Sequence, residues 1–352
     1  MKFDVVVGNP PYQENDNGVR SNGSANASAS PKYQLFFQLA KLISKEKINL
    51  IFPARWLSGS GKGLTKFTEE MLNDHHIRSL TLFENSKAVF SNNDIKGGVL
   101  YLTYDKNYDG PADITVVDKD SNEHRFSSYL NSENSGVFIP YGELISIYRK
   151  VINSEDFKSF QDIVSKRKPF GLPTDYFEKE LNSNISNLKD VKENEKDIEV
   201  IGLLNSKRTI KYIDHSNENL FDKDLLNSWK VFIPYAYGKG EFGEPMPKLV
   251  VAPPRQICTE TFLCIGPFSN REQAEAVTKY METKFFRAMI GILKTTQHST
   301  GTYHLIPLLD FTETSEINWK DSYKNIESNI YSKYGLDFEE IDFIQNKIKE
   351  VE

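Results

Sequence analysis

Phe3-Asp4-Val5-Val6-Val7-Gly8-Asn9-Pro10-Pro11-Tyr12-Gln13 is the stretch whose reading decides the fold. Residues 3–7 form a short apolar run of β-branched type, which predicts a buried strand. Gly8-Asn9-Pro10-Pro11 cannot continue a central strand, because proline lacks the N–H that a ladder needs. The strand therefore stops abruptly and presents Asn9 at its C-terminal end. Residues 13–31 are rich in Asn, Ser, Gly and Ala and read as a loop.

Beyond that loop the pattern alternates. Lys32–Glu46 predicts a helix, with Leu35, Phe36, Leu39, Leu42 and Ile43 on one face. Ile48–Phe52 predicts a second buried strand ended by Pro53. Leu64–Leu72 predicts a helix, Ile77–Phe83 a third strand and Gly98–Tyr104 a fourth, the last two antiparallel. Such alternation predicts an α/β fold built on a partial doubly wound, Rossmann-like sheet. Residues 110–134 are dominated by polar side chains, so the first domain is expected to span 1–130. A second, α+β domain is expected over 131–310. Its strands are Glu199–Leu204, Trp229–Ile233, Lys248–Ala252 and Thr261–Ile265, and one long helix runs from Arg271 to Leu293. Residues 311–352 form an acidic helical tail, with ten carboxylates and five lysines against a net charge of −6 for the whole chain.

The chemistry of Asn9-Pro10-Pro11-Tyr12 follows from its acceptors. An amino group conjugated to a ring is a poor nucleophile until it is drawn towards tetrahedral geometry. The Asn9 side-chain carbonyl and the Pro10 backbone carbonyl can accept from its two N–H groups. The prolines fix φ and hold these acceptors in place beforehand. Tyr12 offers a ring on which a base taken out of a duplex can stack. The site stands at a strand C-terminus, where open α/β sheets bind their ligands. An Asn-Pro turn that merely ends a strand is the plainer alternative.

The order of strand, Gly-Asn-Pro-Pro-Tyr-Gln, polar loop and amphipathic helix resembles the amino-methyltransferases of bacterial restriction-modification systems, in particular the Eco57I-like and TaqI-like DNA adenine-N6 enzymes. The helix residues Tyr33-Gln34-Leu35-Phe36-Phe37 fit the same family. So do the strand Ile48-Asn49-Leu50-Ile51-Phe52-Pro53 with Trp56-Leu57, and Ala88-Val89-Phe90 before Gly97-Gly98-Val99-Leu100-Tyr101-Leu102. The resemblance implies that Asn9, Pro10, Pro11 and Tyr12 form the target-adenine pocket and that Phe90 stacks on the base opposite Tyr12. It also implies S-adenosyl-L-methionine as cofactor. In the family the cofactor's Gly-rich turn precedes the pocket motif by about 100 residues, but here eight residues precede Asn9. Gly59-Ser60-Gly61-Lys62-Gly63 is the one glycine-rich candidate, and neither an acidic partner nor a complete phosphate-loop pattern accompanies it. The cofactor residues are therefore unassigned. The expectation is a partner chain, or an N-terminal segment outside this sequence, that supplies the cofactor site; a dimer of this chain is the other way to cover an open sheet edge.

The second domain is expected to read double-stranded DNA. Lys166, Arg167 and Lys168 form a basic cluster beside Phe170 and Gly171. Lys207, Arg208 and Lys211 form another. Tyr235, Tyr237 and Lys239 lie among glycines in a loop suited to following a backbone, and Gln297, just after the long helix, is placed to reach a base. Each cluster taken alone is also compatible with a solvated surface, and the net negative charge does not favour nucleic acid. No metal-ligand set is legible, since His75 and His76 are adjacent and point apart. No nuclease constellation is legible either. Cys258 and Cys264 read as buried free thiols in a reducing, cytoplasmic setting, and no run is long enough to cross a bilayer. Two alternatives remain open: a catalytically inactive DNA-binding specificity module, and an enzyme that methylates glutamine at N5 or structured RNA, whose families share the motif.

Overall fold

The computed structural model describes residues 2–14, 30–59, 63–92, 95–183, 186–294 and 297–350. They divide into two compact units, Met1–Ser146 and Ile147–Glu352.

The first unit is built on a six-stranded mixed sheet. Its strands are β1 (Phe3–Gly8), β2 (Ser44–Pro53), β3 (Ile77–Phe83), β4 (Val99–Asp105), β5 (Ala112–Val117) and β6 (Glu123–Ser128). Their order across the sheet is β1-β2-β4-β3-β5-β6. β1 runs parallel to β2, and β3 parallel to β5. β4 is antiparallel to both β2 and β3. A mixed α/β sheet of partial Rossmann-like topology is thus present, with the expected antiparallel pairing of the third and fourth strands. β5 and β6 were not foreseen. Ala112, Ile114 and Val116 are buried in strict alternation, a two-residue period hidden by the polar residues on either side.

Two helices flank this sheet: α1 (Tyr33–Ile43) and α2 (Thr65–Leu72). Tyr33, Phe37, Phe52, Trp56 and Phe67 pack ring against ring between them, with centroid spacings from 5.3 to 6.4 Å. This cluster corrects the reading of α1. Leu35, Phe36, Leu39 and Leu42 were expected to face the core, but they are exposed, while Tyr33, Phe37 and Ala40 are buried. A helix apolar on more than one face has a single face free to choose, and the aromatic side chains fill the larger gap against β2. β1 needs the same correction. It is an edge strand, with Phe3, Val5 and Val7 exposed, and Val7 keeps 71% of its surface.

Gly98 fixes the entry to β4. Its φ of +79° lies in the left-handed region, and a Cβ there would stand 2.4 Å from the Phe83 carbonyl oxygen. Gly98→Ala is expected to destabilise this unit by about 1–3 kcal/mol from backbone strain alone, before the clash is added. Chemical denaturation would read the change, and an unchanged midpoint would remove the constraint.

The second unit contains two further sheets. One joins β7 (Ile198–Leu204) and β8 (Lys207–Ile213) as a hairpin. Its turn residues, Asn205 and Ser206, both have positive φ, as a tight primed turn requires. The other sheet has β9 (Trp229–Pro234) at its centre, between β10 (Val250–Ala252) and a long strand at Phe262–Phe268. The short strand β11 (Gln256–Cys258) pairs parallel to β7, and Phe262–Phe268 is β12. Cys258 and Cys264 are free and buried. The long helix expected from Arg271 to Leu293 is two helices, Arg271–Glu282 and Lys284–Gly291. Thr283, at ψ 149°, leaves the helical region, and its side chain accepts from the Phe286 amide to start the second helix. The acidic tail forms helices Tyr323–Lys333 and Phe338–Lys347, which pack against Lys284–Gly291 and bury Ile326, Ile330 and Ile344.

Candidate active site and nucleic-acid interface

The first candidate site stands at the C-terminal end of β1. Pro10 is buried, Asn9 and Pro11 are exposed, and Tyr12 is half-buried. The Lys32 amide donates to the Tyr12 carbonyl at 3.1 Å, and Gln13–Glu14 pairs antiparallel with Ser30–Pro31. These contacts tie the base of the loop whose residues 15–29 lie outside the described part of the chain. Burial pushes the Tyr12 phenol's pKa up, and the Asn9 side chain opposes that shift. The hydroxyl is sealed from solvent and makes no hydrogen bond of standard geometry.

Phe90 reaches Tyr12 from the segment between β3 and β4. Asn85 opens the turn at Ser86–Ala88 by accepting from the Lys87 amide. The Phe90 amide donates to the Ser86 carbonyl at 2.8 Å, and the Ser86 hydroxyl accepts from the Ile95 amide. Phe90 is thereby brought to a ring-centroid distance of 6.4 Å from Tyr12, at an interplanar angle of 66°. Each face of a sandwiched base takes about 3.5 Å of contact distance, so two parallel rings about 7 Å apart are needed. The spacing is close to that value, and the angle is not; one ring must turn for a base to enter. Of the glycine-rich candidate loop, Ser60, Gly61 and Lys62 lie outside the described residues. Gly59 and Gly63 have positive φ with open space around them.

The second candidate site lies in the second unit, and it is assembled from segments far apart in sequence. The Arg167 guanidinium sits 4.7 Å over the Tyr235 ring and 3.6 Å from Glu260. The Tyr235 ring lies 4.8 Å from that of His298, tilted by 35°. Tyr235 follows Pro234, which pairs with Phe262 across β9 and β12, and Arg208 covers the Phe262 ring at 4.8 Å. The Gln297 carbonyl accepts from the Tyr237 amide at 2.9 Å, which holds Gln297 beside this group. Arg167 and His298 thus flank Tyr235, while Arg208 covers the core residue Phe262 on β12.

Other residues proposed for nucleic-acid contact fare differently. Lys166 and Lys168 are exposed beside Arg167, with Lys168 at φ +67°. Lys207 is exposed at the start of β8, and Lys239 is exposed between Gly238 and Gly240. Lys211 is taken up by an ion pair with Asp190. Tyr237 was read as part of a flexible loop, but it is buried under the Lys294 ammonium, 4.0 Å from the ring centroid. Phe262 and Glu260 escaped the sequence reading because an apolar strand start and a lone acid carry no local signal. Thr295 and Thr296 lie outside the described residues.

If this surface contacts DNA, Arg167→Ala and Arg208→Ala are each expected to weaken binding and to reduce the slope of log affinity against log salt by about one. Fluorescence anisotropy at several salt concentrations reads both, and an unchanged slope would take the residue out of the interface.

Among known proteins, the sequence model of the Eco57I restriction-modification methylase family matches residues 1–90. A curated relative from Mycoplasma pneumoniae, an uncharacterized adenine-specific methylase, is 29% identical over 139 residues, covering 40% of this chain and 31% of the relative. The chain thus spans about a third of that relative's length. Among solved structures, the type IIL restriction-modification enzyme MmeI with DNA aligns over 97% of this chain and 56% of its own, at 10% identity and a TM-score of 0.43. The type IIG restriction endonuclease BpuSI aligns over 93% and 49%, at 13% identity and a TM-score of 0.36. Both structural alignments are too loose to argue from. The chain has a general resemblance to restriction-modification and adenine-methylase proteins. No helix among the described residues is long and apolar enough to cross a membrane.

Proposed function

We propose that this chain carries the target-base pocket and the DNA-reading surface of a site-specific DNA adenine-N6 methyltransferase, working in the cytoplasm as part of a restriction-modification system. The observation that carries the reading is Asn9-Pro10-Pro11-Tyr12 at the C-terminal end of β1, with Phe90 brought to its tyrosine. In this reading Asn9 and the Pro10 carbonyl accept from the two N–H groups of an extruded adenine, and the rings of Tyr12 and Phe90 hold the base. Double-stranded DNA is engaged through Arg167, Arg208 and Gln297, with Lys166, Lys168, Lys207 and Lys239 as further phosphate contacts.

S-adenosyl-L-methionine would supply the methyl group. The described residues do not by themselves fit that cofactor: the β1 edge beside Asn9 is bare, and Val5 and Val7 face solvent there. We place the cofactor site in an α/β segment or partner chain that adds a strand to this edge. The test is to supply that segment together with this chain and to look for N6-methyladenine in DNA by mass spectrometry. Sequence-specific DNA binding without methylation would favour the inactive specificity module. Methyl transfer to a glutamine amide or to RNA, with none to DNA, would favour the third reading.

A further inference from the structure

The ends of the β7–β8 hairpin place two acids and a histidine together. Ile198 pairs with Ile213 at the open end of the hairpin. Asp197, Asp214 and His215 are therefore neighbours by register, although the two acids lie 17 positions apart in sequence. One ligand-capable atom from each lies within 4.8 Å of the others, and no second such trio occurs among the described residues.

Two atoms of these residues lack what burial demands. The Asp197 side chain is fully buried. Its Oδ2 accepts from the Glu193 and Asn194 amides, both at 3.0 Å, and from the Lys189 ammonium at 3.3 Å. Its Oδ1 is sealed from solvent with no partner. The His215 Nδ1 is likewise sealed and without a hydrogen bond. It lies 3.6 Å from Asp214 Oδ1, which accepts from the Ser216 amide at 2.9 Å. A buried carboxylate oxygen normally takes two or more donors, and an orphan is costly. Lys189 does not resolve the deficit. It approaches Asp197 Oδ2 and, at 3.5 Å, Asp214 Oδ2, so it neutralises the far oxygens and leaves Oδ1 and Nδ1 unused.

We propose that Asp197, Asp214 and His215 bind a zinc ion that clasps the open end of this hairpin. Zinc takes mixed carboxylate and imidazole donors at about 2.0–2.2 Å in tetrahedral array. Donors so placed are about 3.4 Å apart, close to the 3.6 Å between His215 and Asp214. An imidazole in the set disfavours magnesium and calcium, which prefer oxygen throughout. Three protein ligands leave the fourth position to water. The sequence hid the site because its ligands show no short metal-binding spacing; the hairpin register alone brings them together.

The test is calorimetric titration of the whole chain, stripped with chelator, using zinc chloride. One equivalent is expected to bind, and His215→Ala and Asp197→Asn are each expected to weaken it at least tenfold. Asp197→Asn keeps an oxygen for the Glu193 and Asn194 amides, and His215→Ala alters a half-exposed side chain, so both variants should fold. His75→Ala serves as the control and should leave binding unchanged. Absence of binding by the unmodified chain, or binding undiminished in His215→Ala, overturns the proposal.

Discussion

Asn9→Ala is expected to lower N6-methyladenine formation by about 10²–10³-fold, the loss seen when one preorganised group facing developing charge is removed. The assay is methyl incorporation into DNA by this chain together with its cofactor-bearing segment. Asn9 is exposed at the end of β1 and supports no core, so the variant should unfold at the same denaturant concentration as the parent. DNA affinity should change little in the proposed reading, which assigns DNA contact to the second unit. Asn9→Asp keeps an acceptor oxygen but adds a negative charge beside the target amine, and should fall between the parent and Asn9→Ala. Full activity in Asn9→Ala would refute the role given to the motif.

The second large effect is expected at the bare edge. Phe3, Val5 and Val7 on β1, with Leu35, Phe36, Leu39 and Leu42 on α1, are exposed, Leu42 by 70%. α1 lies against β1, and β1 is the edge strand whose N–H and C=O groups are unpaired on one side. An exposed, flat apolar edge invites another strand. Val7→Asp combined with Leu39→Glu is expected to abolish assembly with the cofactor-bearing segment. Burying one such side chain contributes about 1.5–3 kcal/mol, so losing two weakens association by about 10²–10⁴-fold. The variant's own stability should barely change, because neither side chain is in the core. Sedimentation velocity of the mixed chains reads the first outcome and thermal melting the second. Assembly at parental affinity would place the partner elsewhere. If the parent instead forms a dimer that the variant abolishes, a second copy is the occupant.

The sequence by itself determined the elements whose signals are local. The β1 run and its stop at Gly8-Asn9-Pro10-Pro11 were legible, since two successive prolines remove the donors a continuing ladder needs. So were β2, β3 and β4, and most strands of the second unit, because each is a compact apolar run. The candidate base pocket was legible for the same reason: Asn9 through Tyr12 are contiguous. What depends on a choice among partners was decided only in three dimensions. α1 carries apolar residues on two faces, and only the aromatic packing of Phe37 with Phe52 and Phe67 selects the one that is buried. β1 looks like a core strand because its residues are apolar, yet its place at the sheet edge leaves it exposed. Thr283 breaks one helical period into two helices by a single extended ψ. The gathering of Arg167, Tyr235 and His298, the placing of Arg208 over Phe262, and the meeting of Asp197 with Asp214 and His215 come from strand register and loop closure. Those are long-range pairings, and a pattern read over a window of residues carries no record of them.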